Sequence, residues 1–208
     1  MLTTVVLASA MAASVASLLR AIRVGDRRLE IISKTAASGA FVVLGLVRWS
    51  PGDAIGAWLI AGLVLCAAGD LCLLSDRSFD VGLISFLLGH LAYVAGFNSA
   101  LPVADWPLVL LAPLALAGAG ALVWLWPHLG RRRIPVIAYI VAITAMVWGG
   151  VSTWSAGALP WTAAVGAVLF YLSDLAVARH RFVHESFTNR ALGLPLYYLG
   201  QLLLALTV

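Results

Sequence analysis

The sequence predicts an all-α polytopic membrane protein, a bundle of eight transmembrane helices. Its 208 residues are 62% hydrophobic and only 11% charged, and the mean hydropathy is +1.02, a composition far outside ordinary soluble usage. Apolar runs near the roughly 20 residues that span a bilayer recur along the chain. The joints between the runs are too short for a soluble catalytic domain, a ligand-binding ectodomain or a nucleic-acid module, so any chemistry must lie among the helices.

Eight apolar runs account for nearly the whole chain, and polar or Pro- and Gly-containing joints separate them. The runs are 2–19, 29–47, 54–75, 81–100, 107–126, 134–153, 160–178 and 190–207. Arginines follow the first run, which is the reverse of a cleavable signal peptide, so we expect this run to be retained as a helix. No convincing internal repeat is visible, and we expect one integral membrane domain, 1–208.

Arginines are concentrated in alternate joints. They lie after runs 1, 3, 5 and 7, whereas the intervening joints hold only Arg48. Cytoplasmic loops carry an excess of Lys and Arg, so we expect the arginine-rich joints to be cytoplasmic and both termini to lie outside. The arginine-rich, lysine-poor composition is typical of a GC-rich genome, and the expected location is a bacterial inner membrane.

Ionisable side chains interrupt four of the apolar runs. They are Lys34, Asp70, His90 and Asp174. Such a residue costs about 2.5–3.5 kcal/mol on insertion scales and indicates a functional site with a nearby partner. Counted from the arginine-rich joints at about 1.5 Å per residue, all four lie roughly 6–15 Å below the same membrane boundary. This predicts a pocket that opens towards the cytoplasm, because a channel would need polar lining along its whole length.

Helical spacing brings further polar groups to this level. One stripe of helix 4 carries Phe86, His90, Tyr93 and Phe97. Tyr171 shares a face with Asp174, three residues on, and Tyr197 shares a face with Gln201, four residues on; Tyr198 lies at the same depth. An aromatic wall with a few polar groups is the usual composition of a ligand site.

Structural alternatives exist for each of these residues. Lys34 can snorkel to the interface, and either aspartate can simply pair with Lys34. His90 can be a hydrogen-bonded core residue, and the tyrosines can be packing residues. His180 and His184 are four apart, but they lie in a charged joint that is more typical of a solvated loop than of a metal site. We therefore expect no metal and no cofactor.

Five segments combine the polar residues with their apolar surroundings: "ISKTAASG" (32–39), "AAGDLCLLSD" (67–76), "ISFLLGHLAYVAGF" (84–97), "GAVLFYLSDLAVARHRF" (166–182) and "LPLYYLGQLLLAL" (194–206). In this order they resemble the YhhN family, the lysoplasmalogenase-like eight-helix membrane proteins. The resemblance covers about 30–206. Thr35 stands where the family more often has Pro.

The resemblance implies hydrolysis of the vinyl ether bond of lysoplasmalogens, which gives a fatty aldehyde and a glycerophospho-ethanolamine or glycerophosphocholine. Such hydrolysis needs an acid, a stabilising negative charge and a base for water. Two carboxyl groups can fill these roles if burial keeps one protonated while a cation keeps the other ionised. We expect Asp70, Asp174 and His90 to be catalytic. The expected substrate-binding residues are Lys34, Tyr93, Tyr171, Tyr197, Tyr198 and Gln201.

Three other functions are compatible with the sequence. A proton-coupled transporter or binder of a small amphiphile would also use buried Asp and His, although inverted repeats are not obvious. A metal-dependent hydrolase of the ceramidase type would need several His and carboxylate ligands at one depth, and only His90 is suitably placed. A catalytically inert lipid-binding protein is the third. The expected partners are a lysophospholipid-type substrate and membrane lipid, with no nucleic acid; the oligomeric state stays open.

Overall fold

The computed structural model describes residues 2–208, and eight long helices dominate this range. They are α1 Leu2–Val24, α2 Arg27–Arg48, α3 Ala54–Cys72, α4 Phe79–Ala100, α5 Leu108–Leu125, α6 Arg133–Ser155, α7 Trp161–Ala178 and α8 Phe187–Thr207. Between residues 2 and 208 there is no β-strand. The predicted fold class, an all-α polytopic membrane protein, is confirmed.

Seven of the eight helices are long and apolar enough to cross a membrane. The eighth, α8, has a comparable length of 21 residues but carries more polar side chains, among them Asn189, Arg190 and Gln201. Its polar face is turned inwards, because Asn189 and Gln201 are both buried. The mixed composition of α8 is therefore a property of the protein interior.

Three helix ends differ from the predicted boundaries by three residues or more, each for a local reason. Helix α1 continues to Val24 and stops where Gly25 adopts φ +75°, a conformation that glycine adopts without steric cost. Helix α3 ends at Cys72, before a 3₁₀ turn in which the Ser75 side chain accepts from the backbone N–H of Arg77. Helix α8 begins earlier than predicted because Ser186 caps it, accepting from the N–H of Asn189.

Six helices form a closed ring, and two lie outside it. Around the ring, α2 contacts α3, α3 contacts α4, α4 contacts α6, α6 contacts α7, α7 contacts α8, and α8 returns to α2. Helix α1 packs on α2 and α8, and α5 packs mainly on α6. Between α3 and α4, Gly62 and Gly69 leave room for the rings of Tyr93 and Phe86.

The outer faces of the helices are apolar. Large hydrophobic side chains such as Leu116 on α5 and Val141 on α6 are well exposed on the bundle surface. A surface of this kind is suited to contact with lipid tails. The four ionisable side chains that interrupt the apolar runs are directed into the ring. They are Lys34, Asp70, His90 and Asp174.

Candidate active site

Each helix of the ring contributes an ionisable or hydroxyl-bearing side chain to one interior region. They are Lys34 on α2, Asp70 on α3, His90 on α4, Tyr139 on α6, Asp174 on α7 and Tyr197 on α8. These residues form two hydrogen-bonded groups, which we call the Asp70 centre (Asp70, Lys34, Ser38 and Tyr197) and the Asp174 centre (Asp174, His90 and Tyr139).

In the Asp70 centre, three donors surround one carboxylate. The Nζ atom of Lys34 lies 3.3 Å from Oδ1 of Asp70. The hydroxyls of Ser38 and Tyr197 donate to Oδ2 at 2.7 and 2.8 Å. All four side chains are buried, and Asp70 is 2% exposed. A cation and two hydroxyl donors together suit an ionised carboxylate, which accepts at both oxygens.

In the Asp174 centre, a second carboxyl group lies between a tyrosine and a histidine. The hydroxyl of Tyr139 donates to Oδ2 of Asp174 at 2.7 Å. The Nε2 atom of His90 lies 3.5 Å from the same oxygen, and it has no hydrogen-bond partner within residues 2–208. His90 is fully buried, whereas the side chain of Asp174 is 17% exposed.

The geometry of His90 limits where protons can lie in the Asp174 centre. Its Nδ1 faces the backbone carbonyl oxygen of Phe86 at 2.6 Å, and a carbonyl only accepts, so Nδ1 carries a hydrogen. If Asp174 were ionised and His90 neutral, lone pairs on Nε2 and on Oδ2 would face each other. The contact is favourable when one proton lies on either group, so this centre is suited to hold a proton that it can transfer.

Aromatic rings lie between the two centres. The ring of Phe170 stacks on the imidazole of His90, with centroids 4.4 Å apart, and meets the ring of Tyr197 edge-on at 5.4 Å. Phe86 also packs edge-on against Tyr197, at 5.8 Å. These contacts hold the two polar centres apart within an apolar wall.

One cavity of about 370 Å³ reaches both carboxyl groups, a size within the usual range of small-molecule sites. Its inner wall includes Lys34, Asp70, Tyr171, Asp174 and Tyr197, together with apolar residues of α4, α5 and α6. Its mouth is lined by Arg27, Glu30, Asp76, Arg181, Glu185 and Arg190, which lie near the arginine-rich connections. The cavity is thus polar at its mouth, mainly apolar along its walls and acidic at its inner end.

The residues expected to bind substrate fall into two layers. Lys34, Tyr171 and Tyr197 line the cavity. Tyr93, Tyr198 and Gln201 lie behind its wall: the Tyr93 hydroxyl donates to Oε1 of Gln201 at 2.6 Å, and the Tyr198 hydroxyl is 3.3 Å from that of Ser38. His90, expected to be catalytic, is likewise behind the wall and reaches the cavity through Asp174.

Some of the structural alternatives can also be judged from the geometry. Lys34 is 7% exposed and pairs with Asp70, so it does not snorkel to the surface. In the range 2–208, no group of three or more His, Cys, Asp or Glu side chains is placed to hold a metal ion.

Sequence reasoning missed two members of the site. Ser38 lies four residues after Lys34, and therefore on the same face of α2, which is a usable signal. Tyr139 is an isolated tyrosine in an apolar helix, and its only signal is its depth, six residues beyond Arg133. The contact of Tyr139 with Asp174 depends on the order of helices in the ring.

Comparison with known proteins finds relatives that are named lysoplasmalogenases. A lysoplasmalogenase of Mycobacterium bovis is 38% identical over 154 residues, which cover 68% of this chain and 55% of the relative. Mouse lysoplasmalogenase TMEM86B is 33% identical over 175 residues, covering 80% of this chain and 70% of the relative. Human lysoplasmalogenase TMEM86A is 31% identical over 159 residues, which cover 72% of this chain and 64% of the relative.

The chain therefore matches about half the length of the mycobacterial relative and somewhat more of the mammalian ones. No solved structure matches it. The model of the YhhN family matches residues 29–208, a range that includes both carboxyl centres and the six helices of the ring apart from the first two residues of α2. The chain is a member of the YhhN family.

Proposed function

We propose that this protein is a membrane-embedded hydrolase that cleaves the vinyl ether bond of lysoplasmalogens. The products would be a fatty aldehyde and a glycerophospho-ethanolamine or glycerophosphocholine. The observation that carries the proposal is that two carboxyl groups with different hydrogen-bond partners line one cavity. The name lysoplasmalogenase, borne by relatives at 31–38% identity, supports this reaction.

The first step is proton transfer to carbon. Asp174, in its protonated form or through its contact with His90, gives a proton to the alkene carbon that bears the fatty chain. The π electrons form the new C–H bond, and the ether oxygen shares a lone pair with the adjacent carbon to give an oxocarbenium ion. Tyr139 and His90 hold the Asp174 carboxyl group in place, and general acid catalysis of this kind contributes about 10²–10⁴-fold.

The second step is stabilisation of the cation. Asp70, kept ionised by Lys34 and by two hydroxyl donors, supplies a fixed negative charge to the cavity. A charge that is held in place before the reaction costs no reorganisation when the cation forms. Lys34 prevents Asp70 from taking up the proton that Asp174 must deliver.

The third step is capture of the cation by water. The water oxygen bonds to the cationic carbon and its proton passes to the Asp174 centre, which restores the acid. The resulting hemiacetal collapses: its hydroxyl proton moves to the glycerol oxygen, the bond to that oxygen breaks, and the aldehyde forms. One water is consumed and the Asp174 centre regains its starting proton.

The orientation of the substrate follows from the lining of the cavity. The fatty chain lies along the apolar residues of α4, α5 and α6, and the headgroup lies at the charged mouth. By the positive-inside rule the mouth faces the cytoplasm and both termini lie outside. The expected location is a bacterial inner membrane, with membrane lipid around a single eight-helix domain.

The test is release of fatty aldehyde from lysoplasmenyl-ethanolamine by the purified full chain in detergent, with a chelator present. We expect steady turnover, and a matched control, Asp105→Asn, should behave like the parent because Asp105 is exposed at the other end of the bundle. No aldehyde from folded protein would overturn the proposal. In that case, uptake of the lipid into proteoliposomes that depends on a pH gradient would indicate the transporter.

A further inference from the structure

We propose that the mouth of the cavity is a two-part headgroup site, which binds a phosphodiester on one side and a primary ammonium group on the other. This inference deepens the proposed function and rests on it: the preferred substrate would carry an ethanolamine headgroup. The observation behind this inference is the unequal distribution of charge around the mouth of the cavity, which has one cationic and one anionic side.

The cationic side belongs to α2 and α8. Arg27 and Arg190 both bind Glu30, through Nη1 at 3.0 Å and Nη2 at 2.5 Å. Two guanidinium groups and one carboxylate leave a net charge of +1. Each arginine has five N–H donors and uses one nitrogen here, so donors remain for a phosphate oxygen without breaking the contacts with Glu30.

The anionic side belongs to the α3–α4 and α7–α8 connections. Asp76 and Glu185 are both 88% exposed, and Arg181 is the arginine beside them. With the histidines left out of the count, two carboxylates and one guanidinium give a net charge of −1. Arg181 binds Oδ1 of Asp76 at 2.7 Å and lies over the ring of Phe79, which leaves Oδ2 of Asp76 for another donor.

A second, smaller pocket marks the anionic side. It has a volume of about 220 Å³ and is lined by Asp76, His180, Arg181, Phe182, Val183, His184 and Glu185. Five of these residues, all but Val183 and His184, also line the larger cavity, so the two spaces are adjoining. A charged group that leaves the cavity mouth on this side enters a polar compartment with two carboxylates.

The distance between mouth and reacting groups suits a glycerophospholipid. Glu30 and Lys34 are four residues apart on α2, which is about 6 Å along the helix. Lys34 contacts Asp70 at the inner end of the cavity. A phosphate beside Arg27 and Arg190 would therefore be separated from the reacting groups by a length that a glycerol backbone can bridge.

The composition of the anionic side favours ethanolamine over choline. A primary ammonium group donates hydrogen bonds to carboxylates, whereas the quaternary ammonium of choline has no N–H and is best bound by a cage of aromatic rings. Phe182 is the one Phe, Tyr or Trp among the lining residues of the small pocket. A glycerol headgroup is neutral beyond its phosphate, so it brings no positive charge to pair with Asp76 and Glu185.

The experiment measures binding of non-hydrolysable alkyl-ether lysophospholipids to the full chain in detergent, by displacement of a fluorescent lysolipid. Ligands with ethanolamine, choline and glycerol headgroups are compared. We expect the ethanolamine lipid to bind about tenfold more tightly than the other two. The double variant Asp76→Asn/Glu185→Gln should remove this preference, and Arg27→Gln/Arg190→Gln should weaken all three ligands by about the same factor.

The matched controls are Arg28→Gln and Asp105→Asn. Both residues are exposed and neither lines the cavity or the small pocket, so the headgroup preference should survive. Equal affinity for the three headgroups in the parent, or an unchanged preference in Asp76→Asn/Glu185→Gln, would overturn the headgroup site. Since these ligands are not cleaved, vinyl ether hydrolysis without headgroup preference would refute this inference alone, and selective binding without hydrolysis would refute the proposed function alone.

Discussion

The two carboxyl centres use the same side chain in opposite ways. Asp70 is buried, and a lysine and two hydroxyls donate to its two oxygens. Asp174 is partly exposed to the cavity and has a tyrosine donor on Oδ2 and a histidine nitrogen 3.5 Å from the same oxygen. In the proposed mechanism, the donors around each carboxyl group, and not burial alone, decide which one holds a charge and which one moves a proton.

The difference also explains why both residues are tolerated inside a membrane protein. A buried charge with a full set of donors is stable in place, and breaking such a pair by removing one partner is strongly destabilising. The contacts of the Asp174 centre are favourable when it holds one proton, and with one proton the centre carries no net charge. Substitutions that alter one centre without the other can therefore separate the two roles.

The largest effect is expected from Asp174→Asn. An amide cannot transfer the proton, so kcat for aldehyde release should fall by about 10²–10⁴-fold, while the melting temperature in detergent stays near that of the parent. Asp70→Asn should also reduce kcat strongly, because it removes the fixed negative charge. Near-normal turnover by either folded variant would contradict the assignment of that residue.

A large effect on stability is expected from Lys34→Met. It leaves the Asp70 carboxylate buried without its cation, which costs about 3–5 kcal/mol and should lower the melting temperature markedly. The double variant Lys34→Met/Asp70→Asn removes both charges and should regain most of the lost stability while remaining inactive. If the double variant melted as low as Lys34→Met, the ion pair would not be the source of the loss.

A smaller effect is expected from Tyr139→Phe. The hydroxyl holds Oδ2 of Asp174, and its loss should reduce kcat about tenfold with little change in KM. The control on the same helix is Thr144→Val, because the buried Thr144 hydroxyl has no hydrogen-bond partner in residues 2–208. Equal turnover by Tyr139→Phe and Thr144→Val would show that Tyr139 does not position the acid.

The sequence was sufficient for the helices and for the depth of the polar groups. Apolar runs of spanning length predicted all eight helices, because a bilayer imposes both the length and the composition of a span. The observed helix ends differ from the predicted ones where a local residue starts or stops the helix, as Ser186 does for α8 and Gly25 for α1. The pairing of Lys34 with Asp70 was among the alternatives, since few partners exist at that depth.

The sequence was not sufficient for the contacts between helices. Whether a side chain lines the cavity depends on the order of helices in the ring, and sequence spacing gives only the face of a single helix. Tyr139 on α6 contacts Asp174 on the adjacent helix α7, and no pattern within either helix indicates this contact. For the same reason Tyr93 and Gln201, on the expected faces, bond to each other behind the wall.

The most direct test of the central claim is deuterium incorporation during turnover in heavy water. Protonation of the alkene carbon from the Asp174 centre predicts a fatty aldehyde with one deuterium on the carbon next to the carbonyl, read by mass spectrometry. Undeuterated aldehyde incubated with the same protein controls for later exchange. Aldehyde released without deuterium would contradict proton transfer to carbon, and with it the proposed role of Asp174.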